Sequence, residues 1–105
     1  MTFDYALAII AFVDLLIEKR RYSLADQVLR SGCSIGANVR EAQNAESKAD
    51  FIHKMKVAMK EVDENEYWLL LCKHSRNLPS DDVLLEKLEP IMKVLNKIIA
   101  TSKKK

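Results

Sequence analysis

Gly32, Gly36, Pro79 and Pro90 are the only glycines and prolines among 105 residues. An all-β chain turns about every 8–12 residues, and its turns draw on those two residue types. This chain lacks the means, so the fold class is all-α. Apolar residues make up 49% of the chain and charged ones 30%, with both signs interspersed. That balance suits a helical domain with a modest core and a solvated surface, and the length suits one domain spanning 1–105.

The apolar residues recur at helical spacing in four segments. The first, about 4–21, carries nine uncharged residues from Tyr5 to Val13. Asp14 then interrupts before Leu15, Leu16 and Ile17, so the run is too short for a membrane span of roughly 20 residues. Two stripes run along this helix: Ile9, Phe12 and Leu16, and Phe3, Leu7, Ile10 and Ile17. A helix apolar on both sides must be covered on both. One stripe faces the chain's own core, and the other requires a partner. The reading assigns Ile9, Phe12 and Leu16 to an interface between copies of the chain.

The second segment, about 24–45, follows Ser23 as N-cap, with Leu24, Val28, Gly32, Ile35, Val39 and Ala42 in a four-three row. The third, about 48–76, opens with Ser47-Lys48-Ala49-Asp50, a capping box with Asp for the usual Glu or Gln. Phe51, Met55, Ala58, Val62, Asn65, Leu69 and Cys72 continue it as a heptad row. The fourth, about 81–101, follows Ser80 and places Leu84, Leu88, Ile91, Leu95 and Ile98 inward. Pro90 predicts a kink or a break before Glu89. Connections of a few residues make successive helices antiparallel, which gives an up-down-up-down four-helix bundle.

No catalytic constellation stands out. Di-iron bundles need two acid-x-x-His pairs, and Asp50-Phe51-Ile52-His53 supplies only one. His53 reads as a surface residue, and no metal or other cofactor is expected. Cys33 has no neighbouring His and acid. Gly32 and Gly36 lack the Gly-Lys-Ser/Thr that a phosphate loop requires. Two cysteines in apolar settings, without a visible signal peptide, point to a reducing cytoplasm. On helix two, Arg30, Ser34, Asn38 and Glu41 form a polar edge. Asn65 occupies a core position of helix three, with Glu61 and Glu66 nearby. Arg30 and Asn38 are expected either to meet Glu66 or Asn65 between helices or between subunits, a contact that would set register, or to form a solvated edge.

The run Arg30-Ser31-Gly32-Cys33-Ser34-Ile35-Gly36-Ala37-Asn38-Val39-Arg40-Glu41-Ala42 resembles the R-S-A-x-S-I-x-A-N-I-x-E-G signature of a bacterial four-helix family named after intervening sequences of 23S rRNA. Leu24 and Gln27 upstream fit it, as do Ser47, Asp50, Phe51, Ala58, Glu61 and the 66–69 region downstream. Gly32 and Ala42 depart from it, and Ala42 removes the glycine that would end helix two. The resemblance implies up-down subunits that assemble as homo-pentamers. It includes accessory proteins of diversity-generating retroelements, basic barrels that engage nucleic acid and a reverse transcriptase. For many members the role is unknown, and the ribosomal name reflects gene location.

Two functions follow as expectations. The first is a non-catalytic, homo-oligomeric scaffold or adaptor with neither membrane nor small-molecule substrate as partner. The second is an accessory protein that binds RNA or DNA through Arg20, Arg21, Lys56, Lys60, Lys103, Lys104 and Lys105. Net charge is only +2. Residues 76–105 hold seven basic against four acidic residues, and the terminal lysines carry the excess. Strong sequence-independent binding grows with the phosphates neutralised, so so small an excess argues for weak contacts, multiplied by copy number.

Overall fold

The computed structural model of the chain describes residues 1–104, and those residues form four α-helices. They are α1 (Thr2–Glu18), α2 (Tyr22–Gln43), α3 (Lys48–His74) and α4 (Asp82–Lys103). Helix α2 packs most extensively on α3, α1 lies on α2, and α4 lies on α3. Helices α1 and α4 close the ring of contacts least tightly. Ile9 meets Gly32 and Thr2 meets Gly36, so α1 and α2 run in opposite directions. Arg30 reaches Glu61 while Glu41 reaches Lys54, so α2 and α3 also run oppositely. The molecule measures 49 × 20 × 19 Å.

The four-three rows become the core. Val28, Gly32, Ile35 and Ala42 of α2 are buried, as are Met55, Ala58, Val62, Asn65, Leu69 and Cys72 of α3. Leu84, Leu88, Ile91 and Leu95 of α4 complete it. From α1 the contributors are Tyr5, Ile9, Phe12, Val13 and Leu16. This overturns one expectation. Ile9 and Leu16 are 0% exposed and Phe12 3%, all inside a single subunit. The unpartnered stripe is the other one, with Phe3 at 70%, Leu7 at 52%, Ile10 at 46% and Ile17 at 45%. Both stripes are apolar, and the packing of α1 against α2 and α4 selects between them.

The connections shift several helix ends. Helix α1 stops at Glu18, short of the expected 21. Arg20 adopts φ 59°, Arg20 N–H bonds Ile17 O (2.9 Å), and Arg21 N–H bonds Leu16 O (3.0 Å). These are the paired bonds of a Schellman cap, with arginine where glycine is usual. The cap delivers the chain straight into α2, whose N-cap is Arg21, and Ser23 lies within the helix. Helix α2 runs past Ala42 to Gln43 and is capped by Asn44, whose side-chain amide donates to Arg40 O (3.3 Å). Ser47 caps α3 as expected, accepting from Asp50 N–H at 3.0 Å. Helix α3 ends at His74. Asp81, rather than Ser80, caps α4, accepting from Val83 and Leu84 N–H at 2.9 and 3.3 Å.

Helix α4 continues unbroken through Pro90. An interior proline costs about 3 kcal/mol. Leu88 and Ile91 flank it, both buried. Each contributes roughly 1.5–3 kcal/mol through burial, which offsets the cost. Pro90 itself is exposed.

Candidate functional site

A polar node sits where α1, α2 and α3 converge. Asn65 is fully buried at a heptad core position. Its Oδ1 accepts from the Tyr5 hydroxyl at 2.5 Å, and its Nδ2 donates to Val28 O (3.2 Å) and Ser31 Oγ (3.0 Å). Ser31 Oγ donates to Gln27 O at 2.7 Å. Among the described residues no buried side-chain nitrogen or oxygen lacks a partner. A satisfied node of this kind costs little to bury and penalises any other helix register, where its groups would go unpaired. Burial pushes the Tyr5 phenol far above its usual range, so it stays a neutral donor.

Gly32 makes the node possible by leaving space. A Cβ there would stand 2.8 and 2.9 Å from the two γ-carbons of Ile9 and 3.1 Å from Asn65 Nδ2. The missing methyl lets α1 approach α2 closely enough for Tyr5 to reach Asn65. Gly36 is less confined, its Cβ position lying 3.2 Å from Thr2 Oγ1.

Two residues of the polar edge of α2, Arg30 and Glu41, reach α3, with partners other than Asn65 or Glu66. Arg30 bonds Glu61 at 3.1 Å and also pairs with Glu64. Gln27 Oε1 accepts from Arg30, and Trp68 Nε1 donates to Glu64 at 3.1 Å. Glu41 pairs with Lys54 at 2.8 Å. Asn38 turns back on its own helix and donates to Ser34 O at 2.8 Å. Neither Arg30 nor Asn38 bonds Asn65 or Glu66. Glu61 and Glu64 lie on the α2 flank of the buried row of α3, whereas a 100° step per residue carries Glu66 past that row. Two node members, Tyr5 and Ser31, carry no sequence signal of their own as polar partners. Asn65 in a heptad core was the available signal that partners existed, but the chain carries no mark of which hydroxyls α1 and α2 would bring.

The basic candidates do not form one patch. Arg20 and Arg21 lie in the α1–α2 turn. Lys56 lies toward the other end of the molecule, beside Lys103 of α4, and contact with Lys103 pulls its amine below the usual lysine range. Lys60 is exposed one turn from Lys56, Lys104 follows α4, and Lys105 is outside the described residues.

Two grooves run over the outer side of α2. One, of about 430 Å³, is lined by Thr2, Phe3, Cys33, Val39 and Arg40 among others. The second, of about 660 Å³, shares Cys33 and Ala37 with it and adds Leu29 and Arg30. Cys33 is half-buried and Cys72 buried, and burial raises both thiols. His53 is exposed, and the described residues hold no group of three His, Cys, Asp or Glu able to bind a metal ion. No helix among them is long and apolar enough to cross a membrane.

Comparison with known proteins gives a consistent result. The family model described as 23S rRNA-intervening sequence protein matches residues 1–97. A crystal structure from Bacteroides thetaiotaomicron, described as a protein with unknown function from the S23 ribosomal protein family, is 37% identical. The match covers 93% of this chain and 94% of that one, with a TM-score of 0.87. No curated protein matches. Neither match names a catalytic activity.

Proposed function

The chain belongs to the 23S rRNA-intervening sequence protein family, and we propose that it serves there as a non-catalytic, self-assembling scaffold. In this reading one domain folds as an up-down-up-down bundle and covers its outer α1 stripe with further copies of itself. The observation that carries the reading is the exposure of Phe3, Leu7, Ile10 and Ile17 along one side of one helix. Isolated exposed apolar residues are ordinary, but an aligned row of four marks an interaction surface. The buried node supports a framework role, because it makes one packing of the subunit better than its alternatives. The resemblance implies five copies. Light scattering across a concentration series tests the reading: a mass several times the 12.0 kDa chain is expected. A monomer at every concentration overturns it.

A second reading is a nucleic-acid accessory role, favoured by the apposition of Lys56 and Lys103. Two ammonium groups held side by side repel each other, and a phosphate between them removes the repulsion. Titrating a structured RNA against the protein at rising salt tests this. Retention at low salt with a steep salt slope supports it, and no retention at low salt overturns it.

A further inference from the structure

Helix α1 packs on α2 along one flank and on α4 along the other, so two outer walls of the bundle meet along it. The first wall runs from α1 to α2. It carries the exposed row Phe3, Leu7, Ile10 and Ile17 on α1 and the two grooves that meet at Cys33 on α2. The second wall runs from α1 to α4. At about 100° per residue, Ala11 and Leu15 turn to the side of α1 away from α2. On α4, Asp82 pairs with Lys73 and Lys103 lies beside Lys56, which marks the flank toward α3. Val83, Pro90 and Val94 lie on the other flank, and all five residues of this wall are exposed.

The two walls differ in charge. Asp14 and Asp26 stand on the first at about one height, because Ile9 lies beside Gly32 and the helices run oppositely. The ion pairs that link α2 to α3 and α3 to α4 place Lys87 and Lys97 of the second wall on either side of that height. None of these four has an ion-pair partner among the described residues. Toward the wall ends the signs reverse, with Arg40 on the first and Asp4 and Glu18 on the second.

We propose that the first wall of one copy packs on the second wall of the next, head to tail. A rotation about an axis beside α1 and parallel to the bundle makes this contact. It preserves the direction of every helix and the height of every residue. Helix α1 then lies along α1 of the next copy, and α2 along its α4. Leu7 and Ile10 meet the small Ala11 of that copy, and its Val94 enters the groove beside Cys33. The acidic pair faces its lysines. Charges contribute register and partner choice, while the apolar rows supply the affinity. Unlike faces meet, so the contact repeats until a ring closes, and the angle between the walls sets the number of copies. The proposal rests on the self-assembly reading above and names the second surface it uses.

Mixing two dispersed variants of the full chain tests it, with circular dichroism to verify folding and sedimentation to measure mass. Ile10→Glu spoils the first wall and Val94→Glu the second, and each alone is expected to lose the assembled mass. An equimolar mixture retains one intact contact, so it is expected to form one-to-one pairs of about twice the 12.0 kDa chain. Ala11→Glu replaces Val94→Glu should that variant misfold. A second-wall variant that stays fully assembled overturns the proposed surface while leaving self-association standing. A mixture no heavier than its components does the same. A parent chain that never associates overturns both.

Discussion

At the scale of single residues, the Tyr5–Asn65 bond joins α1 to α3 across a stretch of chain that no local pattern connects. Tyr5→Phe leaves the Asn65 carbonyl oxygen buried without its donor, a loss of about 1–3 kcal/mol, to be read from urea unfolding at pH 7. The same variant carries a pH signature. The folded-state pKa of Tyr5 lies above its unfolded value, so its contribution is complete below about pH 10 and declines as pH rises past that value. Stability measured from pH 8 to pH 11 should therefore fall more steeply in the parent than in Tyr5→Phe. Equal slopes would show that the phenol is not held neutral by the fold. Much of this site was half legible. Asn65 announced itself by occupying a heptad position, and Glu61 and Arg30 lay on flanks that spacing could place. Tyr5 and Ser31 read as ordinary members of apolar and motif runs, because a hydroxyl reveals nothing about its partner until the helices are packed.

At the scale of elements, the two helical glycines separate space from propensity. Alanine is favoured over glycine inside a helix by about 1 kcal/mol. At Gly32 the added methyl meets both γ-carbons of Ile9, and overpacking of that kind costs about 1–3 kcal/mol, so Gly32→Ala should be net destabilising. At Gly36 the neighbour is Thr2, the first residue of α1, which can yield. Gly36→Ala should be neutral or stabilising by up to about 1 kcal/mol. Paired thermal melts test the contrast, and equal shifts would contradict it. Arg20 gives an independent case. It occupies the left-handed cap position at φ 59°, so Arg20→Gly should stabilise the α1–α2 turn by up to about 1 kcal/mol. A lower melting temperature would contradict the cap. Helix existence was readable throughout, since periodicity survives even the weak stretch from Ser31 to Ala37. Helix ends were not, because Arg20 adopts a glycine conformation and Asp81 displaces Ser80 as the cap.

At the scale of the whole molecule, the two sides of α1 divide the labour. Substituting the inner side should unfold the subunit, whereas substituting the outer side should only disperse it. Leu16→Ala, at a fully buried site, is expected to cost about 2–5 kcal/mol. Ile10→Glu, on the outer row, is expected to leave monomer helicity intact while lowering the mass in solution. Circular dichroism combined with light scattering on both variants checks the division. A soluble, folded, fully assembled Ile10→Glu protein would remove the outer row as an interface. Ten residues of Lys and Arg spread over residues 1–75 against eleven of Asp and Glu leave no single basic side at this scale. The apposed lysines near the C-terminal end of α4 are a local feature.

The amino-acid sequence alone determined the helical class, the number of helices and the inward rows of α2, α3 and α4, because few breakers and a period near 3.6 admit little else. It also carried the family resemblance in the run from Arg30 to Ala42. Tertiary structure alone decided which greasy side of α1 turns inward, which hydroxyls meet Asn65, and that α4 continues as one helix through Pro90. Each of those outcomes depends on how one helix sits against another. A helix presents every one of its faces in its sequence, and only packing removes some of them from water.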